Sequence, residues 1–120
     1  MANYVDGFVL PIPRKHLARY RKVASMACKV WLQHGALDYV ECVGEDLANQ
    51  WGRSFPTIAR AKSTDTVIFS WIVYKSKAHR NAVNKKVMTD PRMAAMMDES
   101  KSIFNPKSMA YAGFKVIVKA

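Results

Sequence analysis

Long apolar runs and cysteine frameworks are both missing from this sequence. No apolar run approaches the roughly 18 residues that span a bilayer, so no membrane partner is expected. Only two cysteines occur, Cys28 and Cys42, and they do not form a C-x-x-C motif. They predict free thiols in a reducing compartment rather than a disulfide scaffold. Their reactivity is not determined by the sequence, and a small buried side chain is the simplest interpretation of each.

Signature motifs of common enzyme classes are also absent. The sequence contains no G-x-x-x-x-G-K-S/T, G-x-G-x-x-G, G-x-S-x-G or H-E-x-x-H, which argues against P-loop, Rossmann, hydrolase and zincin chemistry. The three histidines (His16, His34 and His79) show no ligand spacing with the cysteines. Neither a metal nor a cofactor is therefore expected. The N-terminal segment lacks a basic region, and Asp6 interrupts its apolar stretch, so we expect a cytoplasmic protein without a secretory signal.

What is present is a small, basic, globular chain. Its 120 residues (13.6 kDa) predict one domain, 1–120, and half of them are hydrophobic. Lysine and arginine total 19 against 9 acids, giving a net charge of +10. Such a charge is compatible with nucleic-acid binding. The excess lies in two segments with helical patterning, 1–35 and 75–92, where solvated outer helix faces are the simpler explanation.

The order of predicted elements defines the fold class. A strand over 4–10 should end at Pro11 and Pro13, and a helix over 14–34 should end at Gly35. The remaining predictions are a strand over 36–43, a short extra strand over 57–62, a strand over 66–74, a helix over 77–88 capped by Ser76, a short helix around 93–97 and a strand over 110–119. This order predicts an α+β, ferredoxin-like βαββαβ protomer with both main helices on one face of an antiparallel sheet.

The strand over 66–74 is apolar on both faces. Val67, Phe69, Trp71 and Val73 alternate with Ile68, Ser70, Ile72 and Tyr74. Helices cover only one face of such a sheet, so the other would expose a large apolar surface. We therefore predict a homodimer that packs sheet against sheet.

Polar side chains among apolar strands are the candidate ligand-binding residues. Asp6 and Glu41 fall within predicted strands, where a carboxylate is costly unless it is paired. They predict either ion pairs with the helices or acid/base chemistry. His79, Arg80 and Asn84 form a polar group on the second main helix, and Trp71 needs a partner for its indole N–H if it is buried. The candidate site is thus Asp6, Glu41, Trp71, His79, Arg80 and Asn84.

The same element order occurs in RNA-recognition motifs, which makes a second hypothesis testable. Those domains carry basic residues, glycine and aromatics on the third strand. Residues 66–74 contain no Lys, Arg or Gly. If nucleic acid binds, the basic helices would bind it, without sequence specificity.

Several segments together resemble the YbaA-like bacterial family of unknown function, within the dimeric α+β barrel superfamily. The most specific are Phe69–Ile72 followed by Asp90–Met93; the others are 4–9, 35–42, 76–84 and 109–114. The resemblance implies protomers whose sheets pair across a two-fold axis. Superfamily relatives include cofactor-independent monooxygenases and haem proteins that hold ligands between sheet and helices. This chain departs from the family pattern at Asn81 and over 102–106, where an Asp is common.

These observations lead to two functional hypotheses. The leading one is a cytoplasmic homodimer that binds a small organic ligand between sheet and helices, with cofactor-free acid/base or oxygenase-like chemistry. The alternative is non-specific RNA or DNA binding through the basic helices. Whether the protein is an enzyme, and on which substrate, does not follow from the sequence.

Overall fold

A computed structural model describes residues 3–120 of the chain. Its elements are β1 (Tyr4–Pro13), α1 (Leu17–Gln33), β2 (Asp38–Val43), α2 (Phe55–Ala59), β3 (Asp65–Tyr74), α3 (Lys77–Met88), α4 (Pro91–Lys101) and β4 (Ala110–Lys115). Short 3-10 turns at Arg14–His16 and Pro106–Ser108 precede α1 and β4. Residues 1 and 2 of the predicted 1–120 domain lie outside the described residues. None of the described helices combines the length and apolarity needed to cross a membrane.

The four strands form one open antiparallel sheet in the order β2-β3-β1-β4. Because β3 lies between β1 and β2, the first βαβ unit is split, which is the ferredoxin-like arrangement. The predicted α+β fold class is confirmed. In this register Asp6 lies opposite Ile72, and Glu41 lies opposite Ser70. Both acids therefore occupy the same face of the sheet.

The core lies between that face and the helices. Alternate residues of β1 and β3, such as Leu10, Ile12 and Ile72, are at most 3% exposed. They pack against Tyr20, Ala24 and Val30 of α1, Val83 and Val87 of α3, and Met96 of α4. Burying these side chains is the main stabilising contribution expected for a fold of this size.

Two predicted strands end at other residues than expected. β1 continues through Pro11 and Pro13, which lie opposite Val67 and Asp65 of β3. β4 pairs with β1 only as far as Val9. Beyond Val9 one edge of β1 has no neighbouring strand, so the missing N–H of each proline removes no hydrogen bond between strands. The last strand ends at Lys115 rather than at residue 119.

The extra strand predicted over 57–62 is also wrong, because part of that segment is the short helix α2. The Ser54 side chain accepts a hydrogen bond from the Thr57 backbone N–H, and Pro56 occupies the first turn. A serine cap followed by proline favours a helix start, which outweighs the strand propensity of Thr57 and Ile58. Arg60, in the left-handed region at φ 55°, ends the helix.

Candidate functional site

A cavity of about 480 Å³ lies between the helix-covered face of the sheet and helices α1, α3 and α4. Its walls are largely apolar, and it opens beside Met88, Met97 and Tyr111, which are 57%, 51% and 71% exposed. The segment before β4 contributes Phe104 and Pro106 to the wall.

An ion pair between β1 and α3 provides one polar part of the wall. Arg80 donates from Nη1 to Asp6 Oδ1 at 2.6 Å, and Asp6 is only 5% exposed. The guanidinium also lies 5.0 Å from the centre of the Tyr4 ring and donates from Nε to Asn81. Burial raises the pKa of Asp6, and the neighbouring Arg80 charge and hydrogen bond oppose that rise. The pair is therefore both a structural link and a titratable group facing the cavity.

A second polar group centres on Glu41 of β2. Tyr20 of α1 donates its hydroxyl to Oε1 at 2.6 Å, and Tyr39 donates to Oε2 at 2.7 Å. Burial, followed by the adjacent Glu41 charge, raises the pKa of both tyrosine hydroxyls. Both hydroxyls thus stay protonated and act as donors to the two oxygens of the Glu41 carboxylate.

Asn84 joins three elements at the wall of the cavity. Its Oδ1 accepts hydrogen bonds from Trp31 Nε1 of α1 and from the Tyr74 hydroxyl of β3, both at 3.2 Å. The amide therefore links α1 and β3 to α3 at the cavity wall.

Of the six residues predicted for the site, the structure brings four together and leaves two elsewhere. Asp6, Glu41, Arg80 and Asn84 all line the cavity. Trp71 does not, because Ser70 and Ile72 occupy the cavity face of β3 and alternation turns Trp71 to the opposite face.

His79 also lies outside the lining of the cavity, at the start of α3. Its Nδ1 accepts a hydrogen bond from the Lys75 backbone N–H at 3.0 Å, and its ring packs edge-on against Tyr74. These contacts give His79 a local structural role.

Tyr20, Tyr39 and five methionines line the cavity without having been predicted to do so. Tyr39 and Glu41 are two apart in a strand, which by itself predicts that they share a face. The spacing of Met93, Met96 and Met97 predicted the short helix around 93–97, but it did not indicate which part of the protein that helix faces. The methionines that line the cavity are Met88, Met93, Met96, Met97 and Met109.

The opposite face of the sheet is the second surface of interest. It presents Phe69 and Phe114, which are 44% and 57% exposed, together with Trp71. Helix α2 covers part of this face, since the Phe55 ring packs on Phe69 with centroids 5.8 Å apart. The predicted apolar face is present, though the sequence did not predict this partial cover.

Over residues 3–120, no group of three or more His, Cys, Asp or Glu side chains is arranged to hold a metal ion. Cys28 and Cys42 are free and partly buried. Burial raises the pKa of the Cys28 thiol, which disfavours the reactive thiolate.

Comparison with known proteins gives one family and a set of structural neighbours. The family described as "Protein of unknown function (DUF1428)" matches residues 3–105. The uncharacterized protein YbaA of Escherichia coli strain K12 is 38% identical over 116 residues, which is 97% of each chain.

Two solved structures illustrate the likeness of fold. A dimeric ferredoxin-like protein from an uncultured marine organism has a TM-score of 0.57 at 10% identity, over 98% of this chain and 99% of that one. SnoaB, a cofactor-independent oxygenase from Streptomyces nogalater, has a TM-score of 0.58 at 9% identity, over 98% and 94%. At such identities the likeness establishes the fold alone.

Proposed function

This chain belongs to the DUF1428 family of proteins of unknown function, and we propose that it binds a small organic molecule in the cavity between sheet and helices. The predicted resemblance to the YbaA-like family is confirmed by the identity to YbaA. Because neither the family description nor the name of the relative assigns an activity, the proposal depends on the chemistry of the cavity.

The observation that supports binding is the composition of the cavity wall. A concave space of about 480 Å³, mostly apolar with a few convergent polar groups, is typical of small-molecule sites. The polar groups belong to regular elements and hold one another in place: Asp6 with Arg80, Glu41 with Tyr20 and Tyr39. A ligand would thus meet a preformed site.

The same groups suggest acid/base chemistry as the reaction type, if the protein is an enzyme. Asp6 has a raised pKa next to an apolar cavity, and carboxyl groups with perturbed pKa values are frequent among acid/base residues. One structural neighbour is a cofactor-independent oxygenase. Oxygenase-like chemistry is carried over from it only as a fold-level analogy.

Filling the cavity is the direct test of binding. Ala27 of α1 lines the cavity, whereas Ala18 of the same helix is exposed and does not. We expect the neutral dye N-phenyl-1-naphthylamine to gain fluorescence with the wild-type protein and with Ala18→Phe, and to lose that gain with Ala27→Phe. Equal dye binding by the two variants would refute the cavity as the site.

A native mass spectrum of freshly purified protein complements the dye test. We expect a discrete added mass per protomer in the wild type and in Ala18→Phe, reduced in Ala27→Phe. An added mass that is retained in full by Ala27→Phe would point to a site elsewhere.

We further propose that the protein is a homodimer paired through the second sheet face. That face exposes Phe69 and Phe114. Two of the solved structures that share this fold are described as dimeric ferredoxin-like proteins. Pairing two such faces would remove these side chains from water and leave both cavities on the outside. The free thiols Cys28 and Cys42 agree with the further proposal of a cytoplasmic location.

Non-specific nucleic-acid binding is the second candidate. Exposed cations on α1 and α3 favour it, among them Lys22, Lys29, Lys85 and Lys86. Such binding would weaken steeply with salt, because each neutralised phosphate releases counterions. Affinity for single-stranded RNA that does not change between low and moderate salt would rule it out.

A further inference from the structure

We propose that the ligand carries a positively charged amine, which Glu41 holds by charge and the neighbouring aromatic rings hold by their faces. This inference rests on the proposed cavity function and names the ligand class: an organic cation with an apolar body. Three features support it: a wall carboxylate without an ion-pair partner, unused hydrogen-bond acceptors on that carboxylate, and aromatic surroundings.

Two acids, Asp6 and Glu41, and two cations, Arg80 and Lys101, line the cavity, and of the two acids Glu41 has no ion-pair partner. Ion pairs within residues 3–120 join Arg19 to Glu99, His34 and Arg92 to Asp90, and Arg80 to Asp6. None involves Glu41, although it lies on the cavity wall. Arg80 is already occupied by Asp6, Asn81 and the Tyr4 ring, which makes it a poor anchor for an anionic ligand. Lys101 is exposed and takes part in none of these ion pairs, so a cationic ligand would give Glu41 the partner that it lacks.

The hydrogen bonds of Glu41 leave room for further donors. An ionised carboxylate offers about four acceptor positions. Two are used, one on each oxygen, by the hydroxyls of Tyr20 and Tyr39. The remaining positions can accept N–H donors from an ammonium group, and such charge-assisted bonds are among the strongest available.

Aromatic rings lie on both sides of this carboxylate. The Tyr39 ring is paired with Trp31 at a centroid distance of 6.1 Å, and the Tyr20 ring is paired with Phe104 at 5.9 Å. All four side chains line the cavity. Because a cation is attracted to the face of an aromatic ring, these pairs and Glu41 would act on the same ammonium group.

The rest of the wall suits an apolar body of variable shape. Met93, Met96 and Met109 line the cavity, and methionine side chains adapt to irregular apolar surfaces. The expected ligand therefore has a charged amine at Glu41 and a hydrocarbon or aromatic portion directed at the methionines.

Three probes that differ only in their head group test the inference by calorimetry. 4-Phenylbutylamine should bind about tenfold more tightly than 4-phenylbutanol, and 4-phenylbutyrate should bind least. Glu41→Gln removes the charge and keeps the side-chain size. It should abolish the preference for the amine while leaving the alcohol nearly unaffected. Glu45→Gln, the same change at an exposed position, should behave as the wild type.

The outcomes separate this inference from the proposed function. Equal binding of amine and alcohol, or an amine preference that survives Glu41→Gln, would overturn the charged-amine inference while the cavity remains a binding site. If no probe binds and Ala27→Phe also leaves dye binding unchanged, both proposals fail. If Glu41 has only a structural role, Glu41→Gln lowers the melting temperature without altering the order of the three probes.

Discussion

At the scale of single residues, the ion pair of Asp6 and Arg80 is costly to bury, and it places an ionisable carboxyl on the cavity wall. Their side chains are 7% and 19% exposed, and their charged atoms lie 2.6 Å apart. Removing two charges from water is costly, and close contact between them offsets much of that cost. The pair explains how a charged residue can sit in the middle of an apolar strand.

We predict that replacing one partner of this ion pair destabilises the protein more than replacing both partners. Arg80→Met should lower the free energy of unfolding by about 3 kcal/mol, because Asp6 is left buried without a partner. The double variant Asp6→Asn/Arg80→Met should regain most of that loss. Urea denaturation of the wild type, both single variants and the double variant measures the coupling. A double variant as unstable as Arg80→Met alone would contradict the prediction.

A second residue, Asp90, ties the end of α1 to the start of α4. His34 hydrogen-bonds Asp90 Oδ2 through Nε2 at 2.8 Å, and the Arg92 guanidinium and backbone N–H also donate to Asp90. The Arg92 hydrogen bonds and then the His34 hydrogen bond hold the pKa of Asp90 well below the usual 3.8. A lowered carboxylate pKa in the folded state contributes stability above the unfolded value and loses it as the pH falls.

The Asp90 contacts therefore predict a pH-dependent loss of stability. Asp90→Asn should lower the urea midpoint at pH 7, where the wild-type carboxylate is ionised in both states. The difference in urea midpoint between the wild type and Asp90→Asn should shrink as the pH drops below about 3.8. Below that pH the Asp90 carboxyl binds a proton in the unfolded wild type, which stabilises the unfolded state relative to the folded one. A difference that stays constant from pH 7 to pH 3 would argue against this charge role. Asp98→Asn, on the exposed face of α4, is the control.

At the scale of elements, side-chain caps determine where the short helices begin. Ser76 accepts from the His79 backbone N–H to start α3, and Asp90 accepts from the Arg92 N–H to start α4. Ser54 does the same for α2, in a segment whose residues favour strand. Caps satisfy backbone donors that would otherwise lack partners, so they can outweigh the propensity of the residues that follow.

Removing the cap of α3 is the element-scale prediction. Ser76→Ala should lower the free energy of unfolding by about 1 kcal/mol. Ser25→Ala removes a hydroxyl that bonds to a carbonyl inside α1, and it should have little effect. Thermal unfolding of the two variants gives the comparison. If Ser25→Ala is the more damaging change, capping does not account for the stability of α3.

At the scale of the whole molecule, the sheet separates two surfaces of different kind. One face is closed by α1, α3 and α4 around the cavity, and the other carries Phe69, Trp71 and Phe114 under partial cover by α2. The proposed binding site and the proposed pairing surface therefore lie on opposite faces of the sheet and do not overlap.

Pairing through the second face predicts a change of mass when that face is charged. The wild type should elute at twice the 13.6 kDa of one chain at micromolar concentration in light-scattering chromatography. Phe69→Lys should give the monomer mass, since a buried unpaired charge opposes pairing. Met26→Lys alters a similarly exposed apolar residue on α1 and should leave the dimer intact. A wild type at the single-chain mass would end the pairing hypothesis.

The sequence alone predicted the elements whose signals are local. Helix 77–88 follows from Ser76 and its periodic pattern, and Gly35, at φ 112°, ends the first helical segment in the conformation that favours glycine. The element order was then sufficient for the fold class. Predictions failed where neighbours decide: Pro11 and Pro13 stay in β1 because its edge is open there.

The candidate site was predictable only in part, because a cavity is a property of packing between distant segments. A carboxylate in an apolar strand is a local signal, and it identified Asp6 and Glu41. Their partners, Arg80 and Tyr20, lie 74 and 21 residues away in sequence. Chain composition and periodicity thus determined the elements and the two-sided sheet. Tertiary structure alone decided which face Trp71 occupies relative to the cavity and which charge is left unpaired, since both depend on strand register and helix packing.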